Sequence, residues 1–180
     1  GNTVETNTSV MGMAPDDTYK GVKFDLGVPF ELNHLDTATA PSPLNITSMF
    51  WNWQGGYKFV RFDFTNENEA PNNFWNFHLG STGCESGGAT EPPASECAKP
   101  NRPAISLTDF DPSANTIVVD VAGILSGVDV TSDTMDTPKG CMSFPPDVNE
   151  CTALFPNVGL SFETGACDNA CAGQNMFKVE

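Results

Sequence analysis

The sequence predicts an all-β fold, an antiparallel β-sandwich or barrel with long disulfide-stapled loops and little helix. Short runs in which apolar and polar residues alternate recur along the chain, bounded by Gly, Pro, Asn or Asp residues, which is typical of strands in such folds. No apolar repeat of helical period extends beyond about three turns. Six cysteines fall in local pairs within Gly-, Pro- and Ser-rich stretches, which favours cross-linked loops between short strands.

Five strands are predicted in chain order, at residues 22–26, 57–64, 74–79, 104–108 and 116–121. In the second strand Val60 and Phe62 point to one side and Arg61 and Asp63 to the other, the alternation of a half-buried strand. The fourth and fifth strands are joined through a segment rich in Asp and Pro, which has the composition of a turn. These lengths are those of ordinary sheet strands.

The remaining segments predict the domain organisation. Residues 1–19 are rich in Thr and Asn and are expected to form a loosely packed N-terminal arm, and residues 20–180 to form a single β-rich domain. Residues 27–48 contain three prolines and predict a long ordered loop. One short helical turn is expected at residues 153–155. Function is then expected on the loops that the sheet carries.

The charge of the chain excludes several partners. It has 23 acidic and 8 Lys or Arg residues, a formal net charge of −15 and a pI near 4.2. This balance repels phosphate backbones, so nucleic-acid binding is excluded, and docking on anionic lipid is disfavoured. No apolar run approaches the roughly 20 residues that a membrane-spanning helix needs. Cations, by contrast, are attracted to such a surface.

The cysteines indicate an oxidising compartment. They form the local pairs Cys84-x12-Cys97, Cys141-x9-Cys151 and Cys167-x3-Cys171. Reducing compartments rarely keep such a set, and no zinc-finger spacing is present. Pairing of neighbours in sequence is the simplest of the about 15 connectivities open to six cysteines. The chain opens on polar residues without a signal peptide, so we expect an exported protein whose signal has been removed, in the periplasm, on the outer surface or in the medium.

Hydrolytic chemistry finds little support, because no GxSxG, HExxH or Cys–His nucleophile context is present. Asp129, Asp133 and Asp136 could bind calcium, but they lack the EF-hand glycine and terminal Glu and are expected to be a solvated loop. Met11 and Met13 could bind Cu(I) through their soft thioethers, although they lie in the predicted arm.

The two histidines, His34 and His78, are the main metal candidates. Each taken alone is more often a hydrogen-bonded structural histidine. Two imidazoles cannot complete a tetrahedral zinc site. They do suit Cu(I), which accepts nitrogen donors at low coordination number.

Three ordered segments, at residues 28–34, 48–59 and 77–84, carry a family resemblance. They resemble signatures of the four-Cys proteins of the metallo-mystery pair, a family that includes MbnP and the CorA-like copper-binding proteins of methane-oxidising bacteria. The resemblance extends over roughly residues 20–160. The first four cysteines fit the four-Cys pattern, and Cys167 and Cys171 are an addition.

The resemblance implies an exported copper-binding protein for copper capture or homeostasis, and not an enzyme. It implies that His34, His78 and a tryptophan oxidised to kynurenine hold one copper ion, with Cu(I) favoured. A MauG-like dihaem enzyme is the implied oxidising partner. The chemistry is reasonable because an indole nitrogen spreads its lone pair into the ring, whereas the amine of kynurenine can donate to a metal. The alternatives are a copper-dependent electron-transfer or redox enzyme, and a structural cell-surface module without metal.

Three tryptophans are candidates for the oxidised residue. We prefer Trp53, with Trp75 second and Trp51 third. Trp51 and Trp53 lie in the most distinctive motif and share a face if that stretch is extended. In the third predicted strand Trp75 shares a face with the apolar residues and His78 points to the other face, which indicates a core position for Trp75.

Overall fold

A computed structural model describes residues 9–65 and 74–180 of the chain. Its strands are β1 (Gly21–Asp25), β2 (Phe50–Asn52), β3 (Gly56–Thr65), β4 (Phe74–Gly80), β5 (Ala104–Thr108), β6 (Ile117–Val119), β7 (Gly140–Cys141) and β8 (Phe177–Val179). Its α-helices are α1 (Phe30–Asn33), α2 (Val121–Ile124) and α3 (Val148–Cys151). Short 3-10 helices lie at Thr47–Met49, Pro145–Asp147, Phe155–Val158 and Asn169–Cys171. The strand-rich, helix-poor class is confirmed.

The strands form one four-stranded sheet, in the order β2-β3-β4-β7, and two two-stranded sheets, β1-β5 and β6-β8. The long β3–β4 pair is antiparallel, with Arg61 opposite His78 and Asp63 opposite Asn76. The β4–β7 pair is parallel, so the prediction of a purely antiparallel fold is wrong at this edge. Within residues 9–65 and 74–180 the sheets do not close into a barrel, and neither of the two predicted architectures is established.

The fifth predicted strand, 116–121, is shorter than expected. Strand β6 ends at Val119, and the side chain of Asp120 accepts the N–H of Gly123 at 2.9 Å. Such N-capping satisfies a main-chain donor and begins a helix, so Val121 starts α2 instead of continuing the strand. β5 and β6 do not pair with each other, because β5 pairs with β1 and β6 with β8.

The loops hold more helix than the sequence predicts, in pieces of four residues or fewer among the described residues. Helix α1 lies inside the predicted loop 27–48. Helix α3 ends at Cys151, before the predicted turn at 153–155, and a 3-10 helix begins at Phe155, the last residue of that turn. Residues 9–20 are exposed, while residues 1–8 of the predicted arm lie outside the described residues. The division into arm and domain stays a prediction.

The core lies on one face of the β3–β4 pair. Trp75, Phe77 and Leu79 are 0% exposed and pack with Val60 and with residues of the C-terminal third of the chain. Alternate residues of a strand share a face, so the predicted apolar face of the third strand is confirmed. Each such buried side chain stabilises the fold by about 1.5–3 kcal/mol.

Three disulfides staple the loops, and each joins cysteines that are neighbours in sequence. The bonds are Cys84–Cys97, Cys141–Cys151 and Cys167–Cys171. The sequential pairing is therefore confirmed. Cys141–Cys151 lies in the core and ties β7 to α3. None of the helices in the described ranges is long and apolar enough to cross a membrane.

Candidate metal centre

His34 follows a short helix and is almost wholly buried, at 5% exposure. Helix α1 begins after Pro29, whose carbonyl accepts the N–H groups of Leu32 and Asn33. Residues four apart lie on the same side of a helix, and accordingly Phe30 packs on His34 with ring centroids 5.4 Å apart. The local helix thus holds the imidazole in the interior.

The hydrogen bonds of His34 determine its tautomer. Nδ1 lies 3.0 Å from the carbonyl oxygen of Trp53, and because a carbonyl only accepts, Nδ1 carries the hydrogen and Nε2 keeps a lone pair. Asn33 Nδ2 donates to that Nε2 at 3.2 Å. The Asn33 amide is oriented by the N–H of Tyr57, which donates to Asn33 Oδ1 at 2.9 Å. Nε2 is therefore the nitrogen of this ring whose lone pair is available to a metal ion.

A disulfide lies beside His34. Its Nε2 is 3.7 Å from Cys97 Sγ, and ligand atoms of His34, Cys84 and Cys97 all lie within 4.8 Å of one another. A search of the described residues for three or more His, Cys, Asp or Glu side chains with the spacing of metal ligands finds these three residues. Thiolates, not disulfide sulfurs, bind metals strongly. While the disulfide is intact, the imidazole of His34 is therefore the strongest potential metal ligand of the group.

His78 lies on the opposite face of β4 from the core and is 7% exposed. Its Nε2 is 2.6 Å from Asp63 Oδ1, and Arg61 Nε donates to the other oxygen of Asp63 at 2.6 Å. Since the Asp63 carboxylate accepts, Nε2 of His78 carries the hydrogen and Nδ1 keeps the lone pair. That Nδ1 is buried and has no hydrogen-bond partner among the described residues.

Burial keeps both imidazoles neutral at pH 7. Burial lowers the pKa of His34 below 6.5, against a smaller raising effect of the Trp53 carbonyl. Burial also lowers the pKa of His78, and it outweighs the hydrogen bond and charge of Asp63, which raise it. For Asp63 itself burial raises the pKa, but the hydrogen bonds from Arg61 and His78 outweigh it, and the pKa is lowered. Neutral imidazole is the form that binds metals.

The tryptophans lie in three different surroundings. Trp75 is in the core against Phe64, with ring centroids 5.6 Å apart, on the face of β4 opposite to His78. The ring of Trp51 covers Gly80, which lies two residues after His78 and on the same face of the strand. Trp53 contacts His34 through its carbonyl. Trp51 is thus the tryptophan whose ring lies over the His78 face.

His34 and His78 have separate hydrogen-bond partners, and their sharing of one ion stays a prediction. No hydrogen bond between their rings is present in the described ranges, and each ring has its own partners. His34 lies by the Cys84–Cys97 bridge, beyond the end of β4, whereas His78 lies within β4 opposite Arg61.

The other predicted ligands gain no support. Asp129, Asp133 and Asp136 are exposed, and Asp129 Oδ1 accepts the N–H and hydroxyl of Thr131 in a local turn. Nothing in the described chain gathers these carboxylates for calcium. Met11 and Met13 are exposed on the described part of the arm, and their role as thioether ligands stays a prediction.

Two residues of the site were missed in the sequence. Asp63 lies on the predicted polar face of the second strand, but only the β3–β4 register shows that it reaches His78. Asn33 directly precedes His34 and orients it. The adjacency was the available signal for Asn33, because a side-chain amide beside a buried ring often completes its hydrogen bonding.

The fold and the two rings define a β-rich, disulfide-bridged protein with a His–Cys group, which points to a metal-related role. The MbnP family model matches residues 2–143, and the chain belongs to this family. The resemblance seen in the motifs is thereby confirmed.

Among solved structures, MbnP from Methylosinus trichosporium is similar, with a TM-score of 0.68 and 28% identity. The match covers 92% of this chain and 64% of that one, so this chain spans under two thirds of its relative's length. No curated protein sequence matches the chain. Family membership points to a binding or accessory protein rather than an enzyme.

Proposed function

We propose that this protein is an exported copper-binding protein that holds one copper ion, as Cu(I), for copper capture or homeostasis. The supporting observation is His78 Nδ1, which is buried and lacks a hydrogen-bond partner among the described residues. Leaving a polar atom in this state costs about 1–3 kcal/mol, and a metal ion would satisfy its lone pair. Asp63 fits this role, because metal-binding histidines commonly donate their other nitrogen to a carboxylate.

His34 is the second proposed ligand, through Nε2. Two nitrogens that share one ion lie within about 4 Å of each other, since metal–nitrogen bonds are about 2.0 Å long. Because each ring has its own hydrogen-bond partners in the structure, the proposal includes a rearrangement of these contacts that lets His34 Nε2 and His78 Nδ1 reach one ion.

The third proposed ligand is a tryptophan oxidised to kynurenine, with a MauG-like dihaem enzyme as the oxidising partner. Trp53 remains the candidate favoured by the sequence motif. The position of Trp51 over Gly80, on the His78 face, supports Trp51 as the alternative. Trp75 is the least suitable, because its ring lies in the core on the opposite face from His78.

Export to the periplasm, outer surface or medium is part of the proposal. Three disulfides and no free cysteine among the described residues support it, because disulfides persist in oxidising compartments. The net charge of −15 also favours cation capture, since an acidic surface raises the local concentration of cations.

The test begins with protein purified from its native host and, as a control, protein produced without any haem oxidase partner. Metal analysis should give one copper per chain in the native protein. Mass spectrometry of its tryptic peptides should show one tryptophan that has gained an oxygen and lost a carbon, the change from tryptophan to kynurenine. Unmodified tryptophans together with a native protein free of copper would overturn the proposal.

Matched variants His34→Gln and His78→Gln then assign the ligands, because Gln keeps size and polarity without an imidazole. Loss of copper in both supports one shared ion. Loss in His78→Gln alone supports copper binding at His78 and removes His34 from the ligand set. Copper retained in both variants contradicts the proposed site.

A further inference from the structure

We propose that opening of the Cys84–Cys97 disulfide creates a second metal site, in which the two thiolates and His34 Nε2 bind Cu(I). The three ligand atoms already lie within 4.8 Å of one another, and Cys97 Sγ is 3.7 Å from Nε2. This site goes beyond the proposed function and is an alternative to it: both use His34 Nε2, but this one needs neither His78 nor an oxidised tryptophan.

Main-chain hydrogen bonds hold the two cysteines side by side independently of the disulfide. Thr82 and Lys99 exchange N–H···O bonds of 2.9 Å in both directions, and the N–H of Ala98 donates to Gly83 at 3.0 Å. Thr82 and Lys99 form an isolated antiparallel bridge, and Cys84 and Cys97 lie two residues beyond it in each segment, with Cα atoms 4.1 Å apart. Opening of the S–S bond therefore leaves both thiols in place, and the sulfurs need only separate to non-bonded distance.

The nitrogen that faces these sulfurs is already the correct one. The Trp53 carbonyl holds the hydrogen of His34 on Nδ1, so that the lone pair is on Nε2, the atom next to Cys97. Asn33 Nδ2, which donates to Nε2 at 3.2 Å, would have to turn aside when a metal takes that lone pair. The N–H of Tyr57 still anchors the other end of the same amide.

The chemistry balances with a dithiol as the reductant. The dithiol passes two electrons to the Cys84–Cys97 bond and becomes a cyclic disulfide, while its two protons convert the protein sulfurs to thiols. Binding of Cu(I) then releases those two protons, since thiolates are the metal ligands. Neutral His34 binds without giving up a proton.

The donor set favours Cu(I). Two thiolates and one imidazole form a soft, three-coordinate set, and Cu(I) is the common biological ion that suits soft ligands at low coordination number. Structural zinc takes four protein ligands, and the described His, Cys, Asp and Glu residues supply three here. The bridge is reachable, because Cys84 lines a cleft of about 220 Å³ together with Gln54 and Thr82.

The test uses the full chain produced without an oxidase partner, in which the three tryptophans are unmodified. The chain is treated with a dithiol, freed of it under anaerobic conditions and titrated with Cu(I) against a chromophoric chelator. We expect the reduced chain to bind one equivalent of Cu(I) with thiolate-to-copper absorption in the ultraviolet, an absorption that the untreated chain should lack. Bound Cu(I) should protect Cys84 and Cys97 from alkylation, as mapped by mass spectrometry, while reduced Cys167 and Cys171 stay reactive.

Variants separate this site from the others. The matched pair is Cys84→Ser/Cys97→Ser and Cys167→Ser/Cys171→Ser, each of which removes one bridge. The first should lose the thiolate-bound Cu(I), and the second should keep it. His34→Gln should weaken the affinity at least 10-fold, about 1.4 kcal/mol, whereas His78→Gln should leave it unchanged.

Equal uptake by both double variants, or no uptake by the reduced native chain, would overturn the inference. If the first double variant does not fold, the alkylation pattern of the native chain decides on its own. The His78→Gln result keeps the two proposals apart, because that substitution removes a ligand of the proposed function and none of this site.

Discussion

The imidazole of His34 donates its Nδ1 hydrogen to the main-chain carbonyl of Trp53, 3.0 Å away. His78 has the opposite arrangement, since its Nε2 donates to Asp63 at 2.6 Å. The two rings therefore present different nitrogens, Nε2 of His34 and Nδ1 of His78, as lone-pair donors. A carbonyl and a carboxylate fix these tautomers, and both kinds of acceptor are common partners of metal-binding histidines.

The Asp63–His78 hydrogen bond predicts the effect of Asp63→Asn on copper binding. An amide is a weaker acceptor than a carboxylate and leaves the imidazole less basic. We expect copper affinity to fall about 10- to 100-fold, as for other partners of metal-bound histidines. Competition titration with a chromophoric chelator measures the change in the native-host protein.

The control for this prediction is Asp25→Asn. Asp25 is also a strand carboxylate near an arginine, 3.9 Å from Arg102, and its loss changes the net charge equally. It lies on β1, opposite Ala104 of β5. An equal fall of affinity in the two variants would mean that charge, and not support of His78, is responsible.

The buried side-chain amide of Asn33 leads us to expect that its removal destabilises the fold. Asn33→Ala removes the acceptor of the Tyr57 N–H and the donor to His34 Nε2. An unsatisfied buried donor costs about 1–3 kcal/mol, so the free energy of unfolding in urea should fall by that amount. Asn52→Ala is the control, because exposed Asn52 also accepts a main-chain N–H, from Gly55 at 2.7 Å, and water can replace it. A loss at Asn52 as large as that at Asn33 would contradict the assignment.

Because the ring of Trp51 packs closely on Gly80, we expect a side chain at position 80 to disturb this packing. A Cβ at position 80 would lie 2.7 Å from Trp51 Cη2 and 2.8 Å from the carbonyl oxygen of Tyr57. The ring can tilt, but the main-chain oxygen cannot easily move. Gly80→Ala should therefore cost about 1–3 kcal/mol as an overpacked position, and shift the tryptophan fluorescence. Gly12→Ala, where a Cβ meets nothing within 4 Å, should change neither, and an unchanged Gly80→Ala spectrum would contradict this packing.

The sequence predicted the parts of the structure that depend on local alternation. The core position of Trp75 and the opposite orientation of His78 follow from the two-residue period of a strand, and both are confirmed. Proximity of His34 to Cys97, 63 residues further along the chain, could not follow from any local pattern. It depends on how the loops fold over the sheet.

The parallel β4–β7 pair escaped prediction for a related reason. Strand β7 is two residues long, Gly140–Cys141, and two residues carry no periodicity. A Cβ on Gly140 would overlap the main chain of Asn76, with its nitrogen 2.5 Å away, and the φ of Gly140 is +114°. Glycine alone tolerates both conditions, but a single glycine in the sequence does not identify its partner strand.

The lowered pKa values of both histidines predict how stability depends on pH. The folded pKa of each ring lies below the value of 6.5 in the unfolded chain, mainly because of burial. As the pH falls through about 6.5, the unfolded chain takes up protons that the folded chain does not, so the free energy of unfolding falls with falling pH. In the metal-free protein we therefore expect a loss of stability from about pH 7.5 to about pH 5.5, a window above the ordinary range of carboxylates. The double variant His34→Gln/His78→Gln lacks both groups and should show a smaller slope in urea unfolding across this window, whereas parallel curves for the two proteins would rule out neutral, buried imidazoles as the cause.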